Sequence, residues 1–184
     1  TCDSSHAFVS ASVASSSGGN ISSLTYCTSE PALNTYSNIE LVSLVGDGDS
    51  IVNNTSGACD TYEDYTTTHY TTLTPGQSYS IDIDIGDCGG ASFIDLGKVF
   101  IDWNQNGLFT DPGEEIGGFG GVPSPYSYNI QFPVPTNASY GATRMRVVSQ
   151  FQSTTPGFPS GPVGPCDVGI FSGSYPQPWY GATE

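Results

Sequence analysis

The sequence predicts an all-β protein: an antiparallel β-sandwich, of jelly-roll or Ig-like two-sheet architecture, with long ordered loops. Three observations predict it. Apolar residues recur with a period of two along most of the chain, turn residues separate the alternating runs, and no ten-residue stretch has helical spacing.

Taken in order, residues 1–23 are rich in Ser, Ala and Gly, with Phe8, Val9 and Val13 among them, and read as an N-terminal extension or a donor or edge strand. The domain proper is assigned to 24–184. Strands are predicted at 39–45 and 70–73, and the Thr74-Pro75-Gly76 turn precedes a third. That third strand, 78–85, reads SYSIDIDI, with Tyr79, Ile81, Ile83 and Ile85 on one face and Ser80, Asp82 and Asp84 on the other. A fourth is predicted at 98–103. Tyr126, Tyr128, Ile130 and Phe132 repeat the alternation before Pro133-Val134-Pro135 ends it, and a last strand is predicted at 144–151. Residues 152–181, with repeated Pro and Gly plus Phe158, Phe171, Tyr175, Trp179 and Tyr180, read as a long loop, which in a compact domain is usually functional or disordered.

A length of 184 residues suits one β domain with a real core. The formal charge is −15, and Lys98, Arg144 and Arg146 are the only basic side chains besides two histidines. Phosphate binding needs a basic face, so nucleic acid is excluded as a partner. Such a charge favours cation binding and repels an anionic membrane surface. No apolar run approaches the ~20 residues of a membrane span. Cys2, Cys27, Cys59, Cys88 and Cys166 form no CxxC pair, which argues against zinc. In an exported chain they imply two disulfides and an odd thiol, with pairing open. Thr1 is not preceded by a signal peptide, and the chain is read as a secreted or cell-surface product from which one has been removed.

Residues 99–115, VFIDWNQNGLFTDPGEE, run from apolar strand formers into a turn dense in oxygen ligands. Calcium takes six to eight hard oxygens at roughly 2.3–2.6 Å, and a D-x-N-x-N-G stretch projects alternate side chains inward while glycine turns the chain. Asp102, Asn104 and Asn106 alternate, Gly107 bends, and Asp111, Glu114 and Glu115 return carboxylates. An EF-hand would need Glu at the twelfth loop position, which here is Gly113, so the loop is expected to hang from a strand. A plain polar Asn-Gly turn is the bland alternative.

Several ordered motifs resemble the GEVED domain of secreted bacterial proteins. They are Tyr26-Cys27, the 39–44 strand, Asn53-Asn54-Thr55-Ser56-Gly57, Tyr62-Glu63-Asp64-Tyr65-Thr66, the 73–79 turn and strand, the loop itself, and Gly141-Ala142-Thr143-Arg144-Met145-Arg146-Val147. The resemblance implies a β-sandwich accessory domain of exported, often multidomain proteins, commonly from marine Bacteroidota that use the type IX secretion route. It also implies Asp102, Asn104, Asn106 and Asp111 as ion ligands, Glu114 or Glu115 as the closing carboxylate, and Leu108 as a carbonyl ligand. Asp64 and Glu184 are implied near the same region, and Arg144 and Arg146 as ion-pair or clamp residues on one face. Two departures stand out. Asn106 and Leu108 replace carboxylates of the family loop, and the name-giving terminal motif is reduced to Gly181-Ala182-Thr183-Glu184.

Only His6 and His69 are present, neither in a catalytic motif, so no enzyme activity is expected. The functional expectation is a calcium-stabilised extracellular binding or adhesion module. Its partner would be polysaccharide or a surface protein, met by Trp179, Tyr180, Tyr175, Phe171 and Phe158, with Trp103 as a weaker candidate. The alternative is a subunit of an extracellular filament, sheath or matrix that self-assembles by strand donation, with Cys2 able to lock the joint.

Overall fold

The computed structural model describes residues 10–13, 24–31, 35–56, 58–152, 163–168 and 181–183. Among these there is no helix, and eleven strands form three sheets. They are β1 (Ser10–Val13), β2 (Asn38–Val45), β3 (Ser50–Asn54), β4 (Tyr70–Leu73), β5 (Ser78–Gly86), β6 (Ile94–Ile101), β7 (Glu115–Pro123), β8 (Tyr126–Pro133), β9 (Gly141–Ala142), β10 (Met145–Phe151) and β11 (Gly181–Thr183). One four-stranded sheet has the order β3-β2-β5-β8, the other β11-β10-β6-β7, and both are antiparallel throughout. This is the two-sheet sandwich that the alternation predicts.

The core lies between those sheets. Ile81, Ile83 and Ile85 of β5 face Val99 and Ile101 of β6 and Met145 and Val147 of β10, and all seven are essentially inaccessible to solvent. A register shift between Ile39 and Leu41 turns the period of β2 by one residue, so Ile39, Val42 and Leu44 all point inward. Trp103, buried in the same cluster, is core and not a surface platform. This corrects its reading as a ligand-stacking candidate.

Strand β7 is the element the sequence hides. Its EIGGFGGVP composition reads as a Gly-rich turn, yet it pairs along β6 with Phe119 opposite Gly97. A Cβ on Gly97 would fall within the Phe119 ring, and one on Gly117 would meet Ile130 of β8. The glycines therefore let the edge of one sheet close onto the other, with an aromatic ring covering the bare backbone. Strand β6 begins at Ile94 and ends at Ile101, so Asp102 and Trp103 belong to the loop.

The outer face of the β11-β10-β6-β7 sheet is also covered. Tyr26, Phe100, Phe109, Val148 and Val163 form a second apolar cluster there. Two straps, 24–31 and 163–168, lie over it, joined by the Cys27–Cys166 disulfide and by Glu30 N–H donating to Asp167 O at 2.9 Å. Arg146, fully buried beneath them, donates to the carbonyls of Cys27 (2.9 Å) and Pro165 and stacks 4.9 Å from the Phe109 ring centroid. The second disulfide, Cys59–Cys88, ties the segment after β3 to the end of β5. Two disulfides suit an oxidising compartment outside the cytosol.

Candidate metal centre

Loop 102–114 leaves the end of β6 and returns into β7, and the straps on the outer face build its wall. Asp102, completely buried, is the hub. Its Oδ2 accepts from the Tyr26 hydroxyl at 2.7 Å and from Gly107 N–H at 2.9 Å, and its Oδ1 accepts from Asn106 N–H at 3.2 Å. Gln105 (φ 58°) and Gly107 (φ 86°) take left-handed backbone conformations, which bend the chain back over Asp102. The side-chain oxygens of Asn104 and Asn106 each accept the N–H two residues on, at 3.1 and 2.8 Å, forming successive Asx turns. Their Nδ2 groups both donate to Asp111 Oδ2, at 2.9 and 2.6 Å. Those two bonds hold the Asp111 carboxyl below its usual range.

Glu114 closes the loop from the other side. It is 2% exposed, its Oε2 accepts from Asp111 N–H at 3.1 Å, and its Oε1 is buried with no hydrogen-bond partner. Burial raises its pKa, backbone N–H groups of Asp111 and Asn104 partly offset this, and the charges of Asp102 and Asp111 add to the rise. Trp103 Nε1–H donates to Gly113 O at 3.2 Å and pins the far side of the loop to the core. Thr143 donates to Asp102 O, and Ser139 and Gln105 exchange further bonds with the loop backbone and its neighbour. Among the described residues, no three His, Cys, Asp or Glu side chains are gathered closely enough to hold a metal by themselves. The donor set is instead mixed, carboxylate and amide, as calcium accepts.

The GEVED domain family model matches residues 97–173, a span that runs from β6 through the entire loop to beyond β10. This stretch of the chain is similar to the GEVED domain. Among solved structures, a similar one is a DUF3823 family protein from Bacteroides ovatus, 10% identical, covering 80% of this chain and 91% of that one with a TM-score of 0.27. No curated protein matches the chain.

Hydrogen bonds within the loop link Asp102, Asn104, Asn106, Asp111 and Glu114, and Glu115 is not among them. Glu115 is the first residue of β7, opposite Phe100, and its Oε2 accepts from Lys98 Nζ at 2.8 Å on the surface. Strand pleating turns consecutive residues to opposite sides, so of the two candidates Glu114 faces the loop. The Leu108 side chain is exposed and its N–H is taken by Asn106. Asp64 caps its own turn by accepting from Thr66 N–H and Oγ1–H at 2.9 and 2.7 Å, and its charge reaches Arg144. Arg144 lies 4.9 Å from the Tyr26 ring centroid. A chain of contacts thus leads from Asp64 through Arg144 and Tyr26 to Asp102. Burial pushes the Arg146 guanidinium down to about 9, with Arg144 alongside adding to the effect, so both arginines do face one side. Phe158, Phe171, Tyr175, Trp179, Tyr180 and Glu184 lie outside the described residues.

The Tyr26 hydroxyl is the member of this centre that sequence reasoning missed. Tyr26-Cys27 was visible only as a motif, and nothing in its spacing says that a phenol would reach a carboxylate far along the chain.

Proposed function

We propose that this GEVED-like domain is a non-catalytic, calcium-stabilised extracellular module that binds polysaccharide or a cell-surface partner. The observation that carries the calcium part is Glu114 Oε1: a carboxylate oxygen buried without a partner, facing a loop that already gathers Asp102 and Asp111. An ionised oxygen in that position is costly unless a cation or donor meets it. The neutral amide N–H groups of Asn104 and Asn106 solvate the Asp111 carboxylate by hydrogen bonds, a role a cation would take over. Asp102, Asp111 and Glu114 would hold the ion, with amide oxygens of Asn104 and Asn106 and the Leu108 carbonyl completing the shell. Bound calcium supplies charge neutralisation and a fixed loop. With a net charge of −15, the chain gains from each divalent ion.

In this reading the domain acts outside the cell, without nucleic acid and without insertion in a membrane. The two disulfides support that location. Aromatic rings of 158–180 are the sugar-stacking residues in this reading. His69, hydrogen-bonded with Thr68 Oγ1 at 2.9 Å and packed on Tyr65, is structural. The test is a broad glycan array in calcium and again in chelator, with circular dichroism to establish that the protein is folded in both. A chelator-sensitive signal on one polysaccharide class is expected. Silence from folded protein on glycans and on cell surfaces would overturn the binding reading.

A further inference from the structure

Strand β1 lies between two strands that do not pair with each other. It runs parallel to β4, with Ser10 opposite Tyr70 and Val13 opposite Leu73, and antiparallel to β9, with Ser12 opposite Ala142 and Val13 opposite Gly141. Both walls of this slot are held without β1. On one side, Thr72 O accepts from Asp47 N–H at 2.8 Å, Thr71 donates to Asp49 O, and Thr74 N–H donates to the Tyr79 hydroxyl at 2.8 Å. On the other, Ser139 N–H donates to Trp103 O at 2.8 Å and Thr143 to Asp102 O, which fixes β9 against the loop. The slot is therefore built by the domain, and the strand in it is a four-residue stretch of the Ser/Gly-rich residues 1–23. Ser10-Ala11-Ser12-Val13 carries no charge, so its attachment is through backbone ladders on both edges, the chemistry of strand addition.

Cysteine arithmetic points to the same segment. Cys27 pairs with Cys166 and Cys59 with Cys88, so among the 184 residues Cys2 is left with no cysteine to join. A leftover cysteine in an oxidising compartment is either a free thiol or available to pair between chains, and this one precedes β1 by eight positions.

We infer that the β4–β9 slot is a strand-acceptor site and that its occupant in the assembled protein is β1 of a second copy of this chain. Exchange conserves every β1 pairing, so the balance between the self-filled and exchanged forms is set by concentration. Residues 14–23 tether β1 to its own domain, and a short tether corresponds to an effective concentration of about millimolar. Exchange rises toward that range, and a Cys2–Cys2 disulfide between neighbours, formed when an extracellular oxidant such as dioxygen or a disulfide takes up the two electrons and two protons of the thiols, then makes it permanent.

The test uses full-length chains with Cys2→Ser, at about 0.15 M salt so that the acidic surfaces are screened. One chain carries Ser12→Cys, a second carries Ala142→Cys, and a third carries both; the two positions are direct partners across the antiparallel ladder. The doubly substituted chain, oxidised when dilute, should close on itself, which verifies the register. An equimolar mixture of the two singly substituted chains, oxidised across a concentration series, should give a disulfide-linked pair containing one of each, its yield rising toward millimolar. A doubly substituted chain that closes, beside a mixture that yields no mixed pair at any concentration, would overturn exchange. A doubly substituted chain that fails to close would overturn the slot itself.

Discussion

Two buried aspartates flank the central strand of one sheet, and the sandwich treats them in opposite ways. Asp102, just past the end of β6, receives three hydrogen bonds from Tyr26, Asn106 and Gly107. Asp95, near the start of β6, is 1% exposed and neither oxygen has a partner. The hydroxyls of Ser37 and Ser124 stand close enough to moderate its charge but make no bond of normal geometry, and burial, aided by Asp87, pushes its pKa up to about 7. The difference teaches what a buried carboxylate needs. At the Asp102 end, a loop with left-handed turns and a disulfide-clamped strap aims donors at the charge. At the Asp95 end the residue across the sheet is Phe151, which belongs to an aromatic trio with Tyr36 and Phe93 whose ring centroids lie 4.9–5.4 Å apart, and the Ser37 hydroxyl is spent on Ser149. That end tolerates the group by favouring its protonated form.

The largest effect expected from this contrast is in the pH dependence of stability. Asp95 has a higher pKa folded than unfolded, so below about pH 4 it is protonated in both states and costs nothing. Between about pH 4 and 7 the unfolded chain ionises first and the penalty grows, and above about 7 it is complete, at about 4 kcal/mol. Asp95→Asn should therefore be more stable than the parent at pH 8 and lose that advantage by pH 4, as read from urea midpoints. Equal gains at both pH values would break the assignment. Asp102→Ala should instead destabilise at neutral pH by about 3 kcal/mol, because it strands a buried phenol and two N–H groups. A near-neutral result would mean that Tyr26 and the loop backbone find water or other partners. The smallest effect belongs to Glu115→Ala. It breaks an exposed pair with Lys98 and should cost less than about 1 kcal/mol. It should also leave calcium affinity unchanged, and a loss of affinity would return Glu115 to the loop.

Much of this architecture was legible in residue patterns, for identifiable reasons. The alternation in 78–85 and 126–132 survives as β5 and β8, with Ile81, Ile83 and Ile85 inward, because the outer face of their own sheet, β3-β2-β5-β8, is solvated. Strand β10 was visible through its apolar content although nearly every residue in it is buried on both sides. Strand β3 was concealed by the Gly46-Asp47-Gly48-Asp49 turn chemistry before it, and β7 by glycines whose value is close approach, a property that has no period. β1 was left open between strand and linker, since four residues cannot declare their partners. In the candidate centre, Asp102, Asn104, Asn106, Asp111 and Glu114 were readable because ligand chemistry is local. Tyr26 and the unpartnered state of Asp95 were not, because they depend on what the fold brings from elsewhere. The choice between Glu114 and Glu115 needed the pleat.

Calcium titration calorimetry on chelator-stripped protein, parent beside Glu114→Gln, tests the centre most directly. A single site is expected in the parent and is lost in Glu114→Gln, with the variant still folded and no less stable in chelator. Absence of binding by the folded parent, or binding that Glu114→Gln leaves intact, would contradict it.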